Sequence, residues 1–175
     1  MTPFQVLEAL EALGAKHNER LVISGGEPLL QQDNLVQFVE WIYRRDWKIE
    51  IETNGTQVPS YSFDRWVYQY NCSPKLSNSG DPKELRVKEE VLRRLVANDK
   101  VNFKFVVGAK EDIGEILEYV RKFEITPFRV YLMPLGKTQL ELDKTREATK
   151  SLCDEFRFNF SDRLHITQLG GGRGV

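Results

Sequence analysis

The chain has 175 residues, of which 41% are hydrophobic and 29% charged, with a formal net charge of −1. That profile fits one soluble domain, residues 1–175, with enough apolar mass for a core. It argues against a nucleic-acid footprint and, with no spanning apolar run or signal peptide, against a membrane protein.

The elements alternate along the chain. Thr2 is a good N-cap with Pro3 at the first helical position, and Val6, Leu7, Leu10 and Leu13 follow as an apolar face. A strand over Leu21–Ser24 comes next, then a helix from about Asp33 carrying Leu35, Phe38, Val39 and Ile42. Trp47–Thr53 reads as a strand ending in the Asn54-Gly55 turn, and Trp66–Tyr70 as another strand. A helix is predicted over Lys83–Ala97, a strand over Phe103–Val107, and a helix through Ile113, Ile116, Leu117 and Val120. Strand Arg129–Met133, a last helix with Leu142, Ala148, Leu152 and Phe156, and strand Arg163–Gln168 complete the order. Such alternation predicts an α/β fold with a parallel sheet, curved into a partial (βα)6-type barrel.

The most informative stretch is Leu21–Leu30, an apolar strand running into Gly25-Gly26-Glu27-Pro28. Paired glycines let a small polar ligand approach the main chain, and Glu27 adds a carboxylate at the lip. Four other segments stand just after predicted strands: Glu52–Thr56, Ser73–Ser77, Met133–Gly136 and the tail from Arg163. Strand-end clustering is where barrel-like folds carry their chemistry. Cys72 and Cys153 lie far apart, form no spaced ligand set and suit a reducing cytoplasm.

Taken in order, VISGGEPLL, IETNGT, SPKLSNSGDP, NFKFVV, VYLMPLG and RLHITQLGGGRGV closely resemble 7-carboxy-7-deazaguanine synthase, of the radical S-adenosylmethionine superfamily. GGEP alone marks only the superfamily; the SPK loop and the RLHI tail narrow it. The resemblance implies a lyase of queuosine biosynthesis, a tRNA modification pathway. In that family a reduced 4Fe–4S cluster splits S-adenosylmethionine to a 5′-deoxyadenosyl radical. The radical takes a hydrogen from 6-carboxy-5,6,7,8-tetrahydropterin, whose ring contracts with loss of ammonia; Mg2+ assists. A flavodoxin-type electron donor, a homodimer and a cytoplasmic setting are implied as well.

Set beside the family, the sequence lacks the first strand and its CxxxCxxC loop, so no metal ligand is expected in it. It reads as the carboxyl-terminal three quarters of the enzyme, inactive alone, with an uncovered sheet edge that favours poor solubility or dimerisation. The resemblance assigns Gly25 and Gly26 to the methionine moiety and Glu27 to its α-ammonium. It assigns Ser73, Pro74 and Lys75 to the cofactor's carboxylate and ribose edge, and Met133, Pro134, Leu135 and Gly136 to the nucleoside. Glu52 and Asn54 are further cofactor contacts. Ser24, His165 and the terminal Val175 carboxylate face the pterin.

Each residue also has a plainer reading. Lys75 alone is a solvated loop lysine, His165 a packed strand histidine, and Asn54-Gly55 a turn. His17 reads as surface and Cys153 as core filler. Two other functions stand beside the first. One is a cluster-free module that binds S-adenosylmethionine or pterin without turnover. The other is an unrelated sugar-phosphate or nucleotide barrel enzyme, disfavoured because neither a Walker motif nor a dinucleotide fingerprint is present.

Overall fold

The computed structural model describes residues 2–15 and 19–169. Its frame is a six-stranded, all-parallel sheet of β1 (Arg20–Ile23), β2 (Lys48–Thr53), β3 (Gln69–Cys72), β4 (Val101–Val107), β5 (Val130–Pro134) and β6 (Asn159–Phe160). The strands lie side by side in chain order. Crossovers between parallel strands are right-handed as a rule, and repeated in one direction they place successive helices on the same face, consistent with the single core shared by strands and helices.

Before the sheet comes α1 (Pro3–Ala12), and α2 (Gln32–Tyr43) joins β1 to β2. The short α3 (Tyr61–Asp64) precedes β3, while α4 (Lys83–Arg86) and α5 (Glu89–Val96) lead to β4. After it come α6 (Asp112–Phe123), α7 (Gln139–Phe156) and α8 (Leu164–Leu169). The predicted cap of α1 is present as a capping box: Thr2 Oγ1 accepts from Gln5 N, and Gln5 Oε1 accepts from Thr2 N.

The two sheet faces differ in chemistry. Ile49, Ile51, Tyr70, Cys72, Phe103, Phe105, Val130 and Leu132 are fully buried and share one core with Leu92, Leu95, Ile116 and Leu152 of the helices. Each such aliphatic or phenyl side chain contributes about 1.5–3 kcal/mol relative to exposure. The alternate positions are mostly polar, and the register aligns Glu50 with Gln69, Glu52 with Asn71, Asn71 with Asn102 and Lys104 with Tyr131. Parallel sheets ordinarily carry apolar side chains on both faces. A polar second face leaves room for a polar ligand rather than a second helix layer. Glu50 is buried there and is satisfied by Arg20 Nη1 at 2.5 Å and Asn71 Nδ2 at 3.1 Å.

The structure corrects several predicted elements. Trp66 and Val67 belong to turns closed on Phe63 O and Asp64 O, so β3 begins at Gln69. The helix expected over Lys83–Ala97 is broken because Val87 and Lys88 are both extended. Leu13 caps α1 and is 85% exposed rather than part of its buried face. The tail predicted as a strand is helix α8: Ile166 N and Thr167 N both donate to Arg163 O, and Ile166 is buried. The sixth strand lies earlier, after the left-handed cap of α7 at Arg157. Among the described residues, no helix is long and apolar enough to cross a membrane.

Candidate functional site

At the carboxyl end of β1 the chain turns through Gly25 and Gly26, with φ of +96° and +55°. A Cβ built on either glycine meets nothing within 4 Å, so the main chain lies open to a ligand. Pro28 then starts a short 3-10 turn that hands the chain to α2.

Glu27 is buried and points away from the open side. Its Oε1 accepts from Thr53 Oγ1 at 2.8 Å and Leu29 N at 3.1 Å, and its Oε2 accepts from Asn54 N at 2.7 Å. Thr53 shares the helix-covered face with Ile49 and Ile51, which sets the carboxylate behind the loop. Cys72 senses the same charge: burial first, then the Glu27 carboxylate, push its thiol well up. Glu27 therefore joins the GGEP loop to the end of β2, where the sequence had suggested a side chain at the lip.

Two neighbouring loops are tied in. Asn54 Oδ1 accepts from Thr56 N and Thr56 Oγ1, and Ser73 N donates to Thr53 O at 2.7 Å. Gly55, at φ +79°, sits so close to Cys72 that a Cβ would lie 2.9 Å from its Sγ.

These loops surround a cleft of about 260 Å³. Ser24, Gly25, Gly26, Glu52, Asn54, Ser73, Lys75 and Met133 all line it, so the structure brings eight of the sequence-predicted residues together. Glu27, Pro74, Pro134, Leu135 and Gly136 are not in the lining. Pro74, Pro134 and Gly136 are buried, and a Cβ on Gly136 would collide with Leu142. Leu135 N donates to Val107 O at 2.8 Å while its side chain is exposed. His165 falls on α8 rather than on a strand. Val175 and His17 lie outside the described residues.

Sequence reading missed Asn71, Lys104 and Val106, which also line the cleft, as do Thr53 and Arg163 from the flagged strand-end segments. The period-2 alternation of VNFKFVV was the available signal, since it puts Lys104 and Val106 opposite the buried phenylalanines. Ser24 Oγ donates to Glu52 Oε2 at 2.8 Å, and Lys104 Nζ stands 3.8 Å from Glu52 Oε1. Burial holds the Arg163 guanidinium below its ordinary pKa, and its Nε has no hydrogen-bond partner among the described residues. Lys75, Lys104 and Arg163 against Glu52 give the cleft a positive balance that suits a ligand bearing a carboxylate. Asn71 and Lys104 also line a second cavity of about 260 Å³ deeper on the polar face.

Neither cysteine suits a metal. Both are buried and free, and burial raises the Cys153 thiol to about 11. Among the described residues no group of three or more His, Cys, Asp or Glu is placed to hold an ion. The residues present thus do not fit a 4Fe–4S cluster, which needs converging thiolates.

No family model matches the chain. Comparison with curated proteins finds relatives carrying the name 7-carboxy-7-deazaguanine synthase. One from Pyrobaculum aerophilum is 32% identical over 154 residues, covering 88% of this chain and 67% of the relative. One from Hyperthermus butylicus is 32% identical over 168 residues, covering 94% and 71%. One from Rhodopirellula baltica is 29% identical over 182 residues, covering 97% and 68%. With the ordered strand-end loops and the matched length, the chain belongs to the 7-carboxy-7-deazaguanine synthase family.

Proposed function

We propose that the cleft binds S-adenosylmethionine and that the deeper polar face receives 6-carboxy-5,6,7,8-tetrahydropterin, on the sheet of a partial radical-S-adenosylmethionine barrel. The observation that carries this is the meeting of an open Gly25-Gly26 main chain, Ser73, Lys75 and Met133 on one positively balanced rim.

In this reading, Gly25 and Gly26 offer main-chain polar groups to the methionine end, and Lys75 and Ser73 hold its carboxylate. Met133 and Val106 lie against the nucleoside. Ser24, Glu52, Asn71 and Lys104 face the pterin, with the Ser24–Glu52 bond fixing the carboxylate's orientation. Glu27 shapes the loop from behind. A bound 4Fe–4S cluster would supply the electron that turns S-adenosylmethionine into a hydrogen-abstracting species; this chain's own residues bind, orient and exclude water. A flavodoxin-type donor, Mg2+ and a homodimer belong to the same reading of the whole reaction, the ring contraction of queuosine biosynthesis.

Isothermal titration of the purified chain with S-adenosylmethionine tests the binding. Measurable heat that is weakened by Lys75→Met supports it; no heat at millimolar ligand removes it. A second reading, binding without turnover by this chain alone, is favoured by the two buried, protonated cysteines. Anaerobic reconstitution with iron and sulfide should leave only background iron, and a full cluster per chain would contradict that reading.

A further inference from the structure

We infer that Arg86, together with Glu115, is a positioning residue for Lys75, fixing the Ser73–Lys75 main chain so that the lysine ammonium is held for a ligand carboxylate. The inference rests on the cleft reading above and deepens it.

Lys75 is exposed and carries a flexible stem, so a useful ion pair requires its main chain to be fixed first. Arg86 provides that. It ends α4, is 8% exposed, and its Nη1 donates to Lys75 O at 3.0 Å and to Glu115 Oε1 at 2.5 Å. Its Nε donates to Asp81 O at 3.2 Å. Glu115 Oε2 accepts from Ser77 N at 2.8 Å, and Tyr119 OH donates to Lys75 O at 3.5 Å. One ion pair therefore holds both ends of the 75–77 segment.

Pro74 and Leu76 anchor this loop by burial, but Lys75 between them is exposed. A cavity of about 240 Å³, lined by Asn54, Thr56, Lys75, Asp81, Leu85 and Arg86, lies beside it. Nor is net stability a sufficient reason for the pair, because desolvation offsets much of what a buried ion pair gains. What the guanidinium supplies is a planar fork that ties a carbonyl and a carboxylate at fixed angles. The extended Val87 and Lys88 that break the expected helix leave Arg86 as the last residue of α4.

The test titrates the chain with S-adenosylmethionine and with 5′-methylthioadenosine, which lacks the amino-acid end. Arg86→Ala and Lys75→Met should each weaken S-adenosylmethionine about tenfold or more and weaken 5′-methylthioadenosine far less. The double variant should lose no more than either single one, and Arg86→Lys should recover part of the affinity. Equal loss for both ligands, or additive losses, would overturn the inference. Amide exchange gives a ligand-free arm: Arg86→Ala should speed exchange at residues 75–79 while β3 and β4 keep their protection. An unchanged loop, or a uniform rise across the sheet, would also overturn it. A wild-type chain that binds neither ligand counts against the cleft reading, and exchange then decides the positioning role by itself.

Discussion

The Glu27 carboxylate accepts the Asn54 main-chain N–H at 2.7 Å, joining two loops that are 27 residues apart in sequence. With Thr53 Oγ1 and Leu29 N on its other oxygen, each hydrogen-bond partner of this carboxylate among the described residues is a donor. Glu27→Gln turns one acceptor into an NH2 group facing donors in a buried setting. It should destabilise the fold by about 1–3 kcal/mol, read as a lower urea midpoint. A variant as stable as the wild type would mean that the contact contributes little.

Gly55 combines a positive φ with a 2.9 Å approach of any added Cβ to Cys72 Sγ. Gly55→Ala should cost about 1–3 kcal/mol, from strain and overpacking together. Adding Cys72→Ala should recover part of that loss, because it relieves the clash and not the dihedral. Thermal melts of the two single variants and the double variant measure the split.

The Glu115 carboxyl titrates below its ordinary range. Burial alone would raise it, but the Ser77 N–H and the Arg86 guanidinium outweigh that effect. A group depressed in the folded state stabilises above its unfolded pKa, and the contribution disappears as pH falls through the folded value. The midpoint of melting should therefore fall as the pH drops below the usual carboxylate range, and Glu115→Gln should flatten that acid limb. Melting curves collected from about pH 7 down to about pH 3 provide the comparison.

Buried thiols held protonated react slowly. Cys153 is raised to about 11 and Cys72 is raised further by burial and the Glu27 charge. At about pH 8 iodoacetamide should leave both unmodified in the native chain and label both in denaturant. Rapid native labelling of Cys72 would show that the Gly55–Cys72 packing opens readily.

Much of the fold was legible because strands buried against helices leave apolar runs, and VNFKFVV and VYLMP announce themselves. The misread segments have local causes. Val87 and Lys88 leave the helical region although the surrounding pattern is helical, and Arg86's contacts are tertiary. Leu164–Leu169 alternates like a strand yet closes helical hydrogen bonds onto Arg163 O. The rim glycines, Ser73 and Lys75 were visible as strand-end loops. Glu27 was visible too, but its direction depends on which face Thr53 takes, and that follows from the β2–β3 register rather than from the GGEP motif. Lys104 and Asn71 were hidden in plain alternation, since polar residues inside a parallel strand have meaning only once the strands' register puts them together on one face.

The central claim is that one rim of this sheet holds an adenosyl amino acid, and amide chemical-shift mapping with S-adenosylhomocysteine tests it most directly. Saturable shifts should appear at Gly25, Gly26, Ser73, Lys75 and Met133, with Glu124 and Asp64 at rest. Shifts confined to any other surface, or none at ligand saturation of solubility, would contradict the account.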